Sequence, residues 1–160
     1  MSRYCQRIMK IYLDNCCLNR PFDDQSQIRI KLETEAKLHI QDKIQQKQLE
    51  LVWSYILDYE NQFNPFEERK NAICKWKKRA VITVSETSDI LSKAKSLQKR
   101  GLKSKDALHV SCAIGAKCDF FLTTDDLILK KLRDLDEIQV VSPLTFISLW
   151  EGIYDNGYRN

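Results

Sequence analysis

Short apolar runs along the chain alternate with longer segments in which apolar residues recur every three or four positions. The longer segments have the period of an amphipathic helix, as between Ile28 and Ile44, where every fourth residue is apolar. The short runs are rich in aromatic and branched side chains, as buried strands are. They are IMKIYL (8–13), LELVW (49–53), FFLT (120–123) and IQVV (138–141), while VITV (81–84) fits a short strand and a connector equally well.

Capping residues mark where the predicted helices begin. Ser54, residues 85–88 and Ser104 are the expected N-caps, and Pro143 suits the first turn of the last helix. Residues 15–21 are predicted to form a loop. The predicted helices lie within residues 23–48, 54–60, 66–79, 88–100, 105–117, 127–132 and 143–150.

Strands that alternate with helices predict an α/β fold, a three-layer sandwich with a mostly parallel central sheet flanked by helices. The chain has 160 residues and a mass of 18.8 kDa, which suits one domain with a substantial core. We expect that domain to span residues 1–153 and a frayed tail to span residues 154–160.

Four acidic residues stand where a predicted strand or helix begins or ends: Asp14, Glu60, Asp106 and Asp125. A carboxylate beside an apolar run is costly unless it is paired or binds a cation. The ends of parallel strands also meet at one edge of a sheet, where ligand sites form. The four positions therefore suggest one shared metal site with oxygen ligands.

Each acid also has a purely structural explanation. Asp14 suits a turn after a strand, and Glu60 suits the exposed side of a helix. Asp106 lies in a first helical turn, where acids are favourable, and Asp125 suits an N-cap. None of the four is diagnostic when it is considered alone.

Charge is distributed unevenly along the chain. The formal net charge is +4, yet residues 69–105 contain twelve Lys or Arg and only two acids, Glu86 and Asp89, or about +10 in that segment. Such a segment is typical of a surface that binds a polyanion such as a nucleic acid, and equally of a solvated helix face.

Export and membrane insertion have no support in the sequence. No apolar run approaches the roughly 20 residues that span a bilayer, and the apolar stretch near the N-terminus is too short for a signal peptide. The six cysteines include no CxxC pair, and the two histidines, His39 and His109, are far apart, so we do not expect zinc. We expect a cytoplasmic protein with mostly reduced thiols.

The four acids stand in an ordered set of motifs. An apolar strand ends in Asp14 (IYLD), Glu60 follows Ser54 by six residues (SYILDYE), Asp106 opens a helix of small apolar residues (DALHVSCAIGAKCD), and Asp125 closes LTTD. This set resembles the PIN-domain nucleases, especially their VapC-like branch. The resemblance covers residues 8–150.

The resemblance implies a metal-dependent endoribonuclease in which these four acids are catalytic. Family members bind one or two Mg²⁺ or Mn²⁺ ions through such acids, and water activated by the metal cleaves RNA. Asp14, Asp106 and Asp125 would be the principal metal ligands, and Glu60 a ligand or the group that orients water.

Neighbouring residues bear on this implied site. Thr123 matches a hydroxyl position that would steady a carboxylate or water. Asn15 stands where family members often have Thr or Ser, although an amide can still donate a hydrogen bond. Asp126 competes with Asp125, and we favour Asp125 for its T-x-D spacing.

Two further polar residues leave alternatives open. Asp58 competes with Glu60, which has the family's spacing from Ser54. His109 lies three residues after Asp106 on one helical face, and a packed or hydrogen-bonded histidine is the favoured interpretation over a catalytic one.

Four basic residues lead into the helix that carries Asp106 and would hold an RNA backbone: Lys99, Arg100, Lys103 and Lys105. Proteins of the VapC-like branch commonly work as toxins with a cognate antitoxin and often form homodimers, so the resemblance suggests both partners. Two alternatives remain open: a catalytically inactive PIN-like module that binds RNA or serves as a scaffold, and an unrelated α/β domain that binds DNA or protein.

Overall fold

One five-stranded sheet forms the centre of the molecule. The computed structural model describes residues 7–158, with side chains for residues 7–152. The sheet order is β3-β2-β1-β4-β5 and every pairing is parallel, so the predicted mostly parallel sheet is parallel throughout. The strands are β1 Met9–Leu13, β2 Leu49–Ser54, β3 Ile82–Val84, β4 Phe120–Leu122 and β5 Gln139–Val141.

Eight α-helices flank this sheet within the described residues and complete the predicted three-layer sandwich. The second helix packs on the eighth, and the fifth on the sixth. The helices are α1 Asn15–Asn19, α2 Ile28–Gln45, α3 Tyr55–Gln62, α4 Glu67–Lys77, α5 Ser88–Gln98, α6 Ser104–Gly115, α7 Asp126–Lys131 and α8 Pro143–Tyr158. None of the described helices is long and apolar enough to cross a membrane.

The centre of the sheet determines where the acids lie. Strand β1 is buried at Ile11, Tyr12 and Leu13, and it pairs with β2 on one side and β4 on the other. The backbone amide of Asp14 donates to the carbonyl of Leu122 at 3.2 Å, which extends the ladder by one residue. The ends of β1, β2 and β4 therefore lie side by side at one edge.

Two local predictions are wrong. Residues 15–21 are not a loop but form α1 and a 3₁₀ turn, Arg20–Phe22. The Asp14 side chain caps α1, which is too short to show a helical period. Ser104 is not the cap of α6 but its first residue, and Lys103 occupies the cap position without a side-chain hydrogen bond.

Other boundaries agree with the patterns or shift by a few residues. Ser54 caps α3 as predicted, and the ambiguous stretch at 81–84 contains the edge strand β3. Helix α2 begins at Ile28, later than expected, and the chain leaves it through Lys47 with a left-handed φ of 61°. Helix α8 continues to Tyr158, and the last two residues lie outside the described part of the chain.

Candidate functional site

Asp14 is fixed at the carboxyl end of the central strand. It is 4% exposed, and its Oδ1 accepts a hydrogen bond from the Cys17 amide at 3.0 Å. Burial raises the pKa of the Asp14 carboxyl, while the Thr123 hydroxyl and the Cys17 amide oppose that rise. The fold thus holds an acid in a place that disfavours its charge.

Thr123 connects Asp14 to the next acid. The Asp125 amide donates to Thr123 Oγ1 at 3.1 Å, and the same hydroxyl acts on the Asp14 carboxyl. Asp125 Oδ1 caps α7 by accepting from the Leu127 amide at 2.8 Å. The T-x-D motif therefore places a fully buried threonine between two of the predicted acids.

Asp126 is engaged away from these groups. Both of its carboxylate oxygens accept from Arg29, at 2.8 and 2.7 Å, and Arg29 lowers the pKa of Asp126. Arg29 also donates to the Thr124 carbonyl at 3.3 Å. Of the two adjacent acids, Asp125 is the one without an ion pair among the described residues.

Asp58 is likewise engaged elsewhere. It accepts from Trp53 Nε1 at 2.9 Å and from Lys77 Nζ at 2.8 Å. Glu60, two residues further along α3, instead contacts His109 on α6. The contact joins Glu60 to the helix that carries Asp106.

His109 is 2% exposed and bonded at both ring nitrogens. Its Nε2 lies 2.5 Å from Glu60 Oε1, and its Nδ1 lies 2.6 Å from the Tyr12 hydroxyl. That hydroxyl lies 2.5 Å from Ser54 Oγ, which also accepts from the Leu57 amide. The predicted hydrogen-bonded histidine is thus part of a buried chain of polar groups.

Asp106 lies half-buried in the first turn of α6. Burial raises the pKa of its carboxyl, and the charges of Asp125 and Glu60 raise it further. His109 and Lys103 oppose that rise. Asp106 therefore lies close enough to Asp125 and Glu60 for their negative charges to act on its carboxyl.

The charges of all four predicted acids act on the thiol of Cys16. Its pKa is raised to about 12, first by desolvation and then by four negative charges. Those charges are the four predicted acids: Asp14, Asp125, Asp106 and Glu60. The structure therefore brings all four into the neighbourhood of one side chain on α1.

The acids are neighbours without forming a ready-made metal cage. No three His, Cys, Asp or Glu side chains in the described part of the chain stand close enough together to hold a metal ion. A cation bound by three of these acids would have to draw their side chains together.

The type and charge of the donors nevertheless suit a hard divalent cation. Every candidate donor is a carboxylate oxygen. Within residues 7–152, Asp14, Asp106 and Asp125 form no ion pair. Burial is the largest cause of the raised pKa values of Asp14 and Asp106, and nearby acids add to the rise only at Asp106.

Three of the acids use one oxygen for structure. Oδ1 of Asp14 accepts from the Cys17 amide, Oε1 of Glu60 contacts His109, and Oδ1 of Asp125 caps α7. Among the described residues, their other oxygens accept no main-chain hydrogen bond. Each of these carboxylates is therefore held in place through one of its oxygens.

Basic side chains surround the start of α6. Lys103 is near enough to act on Asp106, and Lys105 lies with its ammonium 5.5 Å from the centroid of the Tyr59 ring. Neither forms an ion pair within the described residues. All four predicted phosphate-binding residues are exposed: Lys99, Arg100, Lys103 and Lys105.

Asn15 is placed differently from the acids. Its backbone and side-chain oxygens accept from Asn19 Nδ2, at 2.9 and 3.0 Å, one turn along α1. The structure gives it no hydrogen bond to any of the four acids in the described part of the chain.

Sequence reasoning missed Tyr12 and Cys16. Tyr12 is fully buried in β1, two residues before Asp14. A buried tyrosine hydroxyl needs a hydrogen-bond partner, so its place in an apolar strand was a usable signal. Nothing in the sequence near Cys16 indicates that the four acids surround it.

Comparison with known proteins supports the fold. No family model matches the sequence, and curated proteins give no match either. Among solved structures, the chain is similar to a chain of VapBC2 from Rickettsia felis, crystallised with a DNA fragment from their promoter. The TM-score is 0.52 with 14% identity, over 82% of this chain and 97% of that one. The fold is therefore PIN-like.

Proposed function

We propose that the protein is a metal-dependent endoribonuclease that hydrolyses RNA phosphodiester bonds with Mg²⁺ or Mn²⁺. The observation that carries this proposal is the set of four acids around Cys16, three of which form no ion pair within residues 7–152. Unbalanced carboxylates at the carboxyl edge of a parallel sheet suit a divalent cation.

The roles follow from how each side chain is held. Asp14, Asp106 and Asp125 would hold the cation, and Glu60 would hold it or orient water. A bound ion would lower the pKa of coordinated water and offset charge that develops on the phosphate. Thr123 keeps Asp14 and Asp125 in register at the ends of β1 and β4.

The exposed basic residues next to Asp106 supply the binding surface for the substrate. Lys103 and Lys105 lie on either side of the start of α6, and Lys99 and Arg100 follow α5. Ammonium and guanidinium groups at these positions would hold the RNA backbone without reading its sequence.

The toxin role of a toxin–antitoxin pair is part of the same proposal. It is supported by the PIN-like fold shared with VapBC2, which was solved with promoter DNA. A cognate antitoxin protein and a homodimer are the corresponding partners. Copurification with the product of an adjacent gene, followed by measurement of the mass of the complex in solution, tests both.

A second candidate is a PIN-like module that binds RNA or serves as a scaffold without cleaving it. The separation of the acids favours it, because no three of them stand within reach of one ion among the described residues. Such a module would bind single-stranded RNA with a salt-dependent affinity and leave it intact.

Cleavage of labelled single-stranded RNA tests the proposal. We expect products with Mn²⁺ or Mg²⁺, none with EDTA, and none from Asp106→Asn. Asp136→Asn is a matched control, because Asp136 is exposed and forms no ion pair within the described residues. Cleavage that survives both EDTA and Asp106→Asn would refute the metal-nuclease proposal, and binding without cleavage would favour the module.

A further inference from the structure

A buried circuit of hydrogen bonds starts at the N-cap of α3 and ends on that helix. It runs from Ser54, the last residue of β2, to Tyr12 on β1 and then to His109 on α6, and it reaches α3 at Glu60. Ser54, Tyr12 and His109 are each at most 2% exposed. The circuit gives a physical reason for the spacing of six residues between Ser54 and Glu60.

When Glu60 is ionised and the His109 ring is neutral, one arrangement of protons satisfies the circuit. A carboxylate only accepts, so His109 Nε2 must donate to it. In a neutral ring Nδ1 is then an acceptor, and the Tyr12 hydroxyl donates a hydrogen bond to it. Tyr12 in turn accepts from Ser54, whose oxygen accepts from the Leu57 amide at 3.4 Å. The main chain of α3 thereby contacts the circuit at Ser54.

We infer that His109 is a positioning residue that holds Oε1 of Glu60, so that Oε2 is the oxygen that faces the acids. This inference rests on the proposed function for its consequence in catalysis. The hydrogen-bond arrangement itself does not depend on that function. Hydrogen bonds from such outer groups commonly fix the orientation of carboxylates at metal sites.

The tautomer of His109 tests the arrangement without any activity. The chain has two histidines, and His39→Gln leaves His109 as the only one to be observed. In ¹⁵N NMR we expect a protonated Nε2 and an unprotonated Nδ1 that shifts in Tyr12→Phe. An Nε2 without a proton would overturn the inference.

Two conservative variants separate positioning from packing. Gln at position 109 places its amide nitrogen near the former Nε2 and keeps the donor to Glu60. Asn at position 109 places its side-chain amide near the former Nδ1, so the amide reaches Tyr12 but not Glu60. We expect His109→Asn to weaken Mn²⁺ binding about tenfold or more, and His109→Gln to retain most of it.

Thermal unfolding of both variants checks that they remain folded. Equal loss or equal retention of Mn²⁺ affinity in two folded variants would show that the hydrogen bond to Glu60 does not position it. A wild type that binds no Mn²⁺ and cleaves no RNA would refute the proposed function instead. The tautomer would then decide on the hydrogen-bond arrangement alone.

Discussion

Two carboxylates in this molecule are equally buried and yet have opposite surroundings. Glu33 on α2 is 2% exposed, and its Oε1 lies 3.1 Å from Arg29 Nε and 3.8 Å from Arg20 Nη2. Asp14 is 4% exposed and forms no ion pair with any described residue, and burial raises the pKa of its carboxyl. The fold balances one buried negative charge and leaves the other unbalanced.

The difference separates a structural acid from one that we propose to bind a cation. A buried charge is tolerated when it is paired, and the two arginines pair Glu33 within the protein. Asp14 lacks such a partner at the edge of the sheet where ligands bind. Substitution of Glu33 should therefore reduce stability, while substitution of Asp14 should reduce activity.

The largest expected effect is that of Asp14→Asn on RNA cleavage. We expect cleavage to fall about 100-fold or more, because the variant removes a charge that would hold the cation. Stability should stay level or rise, since Asn also caps a helix and no charge remains buried. Single-turnover cleavage rates and urea denaturation measure the two effects.

Glu33→Gln is the matched comparison in both assays, because it also neutralises a buried carboxylate. Its cleavage rate should stay near that of the wild type under conditions in which it is folded. If Asp14→Asn cleaved normally or unfolded more readily than Glu33→Gln, the proposed division between the two acids would be wrong.

Local sequence patterns were enough to predict where Asp14 lies, but not the surroundings of Glu33. Asp14 and Asp125 follow apolar strands, so their position at the edge of a parallel sheet could be predicted from the sequence. The spacing from Ser54 likewise pointed to Glu60. Strand ends are encoded by neighbouring residues, and in a parallel sheet they must meet.

The surroundings of Glu33 depend on contacts that no local sequence pattern encodes. Glu33 lies on a predicted helix, but its burial and its pairing with Arg20 and Arg29 follow from packing. Tyr12 and His109 meet across 97 positions of the chain. The failure to predict α1 has a related cause, because its cap on Asp14 stabilises five residues that show no period of their own.

Lys37 extends the comparison to a buried positive charge. It is 3% exposed and forms no ion pair or hydrogen bond with the described residues, although its ammonium lies 5.9 Å from the centroid of the Trp76 ring. Burial lowers the pKa of Lys37 from 10.5 to about 8. Lys37 therefore resembles Asp14 in being unpaired, but it lies on α2 beside Glu33.

We expect Lys37→Met to change how stability depends on pH. Between pH 8 and 10.5 the unfolded chain holds a proton on Lys37 that the folded protein has lost, so the free energy of unfolding rises with pH. The variant lacks this rise and should be more stable than the wild type at pH 7 by up to roughly 3 kcal/mol. The gap should close towards pH 10.5.

Urea denaturation of both proteins at several pH values measures the difference in their free energies of unfolding. The titration of the groups that both proteins share cancels in that difference. A stability gap that does not change between pH 7 and 10.5 would show that Lys37 is not desolvated in the folded protein.

Glu33→Gln should reduce stability by a smaller amount. Loss of one partner of a buried pair costs about 3–5 kcal/mol, and we expect roughly 2 kcal/mol here because Arg29 reaches solvent. The midpoint of urea denaturation measures the loss. Glu35→Gln is the control, because Glu35 is exposed on the same helix and forms no ion pair within the described residues. Equal stability of the two variants would show that the arginines do not stabilise Glu33.

Arg29 connects the surroundings of Glu33 with the segment that carries Asp125. Its Nε donates to Glu33, and its Nη1 and Nη2 donate to Asp126, next to Asp125. Its further bond to the Thr124 carbonyl holds the segment between β4 and α7. The structural ion pairs of α2 therefore support the loop that presents a proposed metal ligand.

The smallest expected effect is that of Arg29→Met, which keeps the aliphatic stem and removes the guanidinium. Cleavage should fall by about tenfold or less, because Asp125 stays in place but its loop loses a support. Stability should fall less than in Glu33→Gln, since Arg20 still faces Glu33 and exposed ion pairs contribute little. Arg133→Met removes an exposed arginine elsewhere and is the control for both readouts. Cleavage that is equal in the two variants would show that the balanced and unbalanced regions act independently of each other.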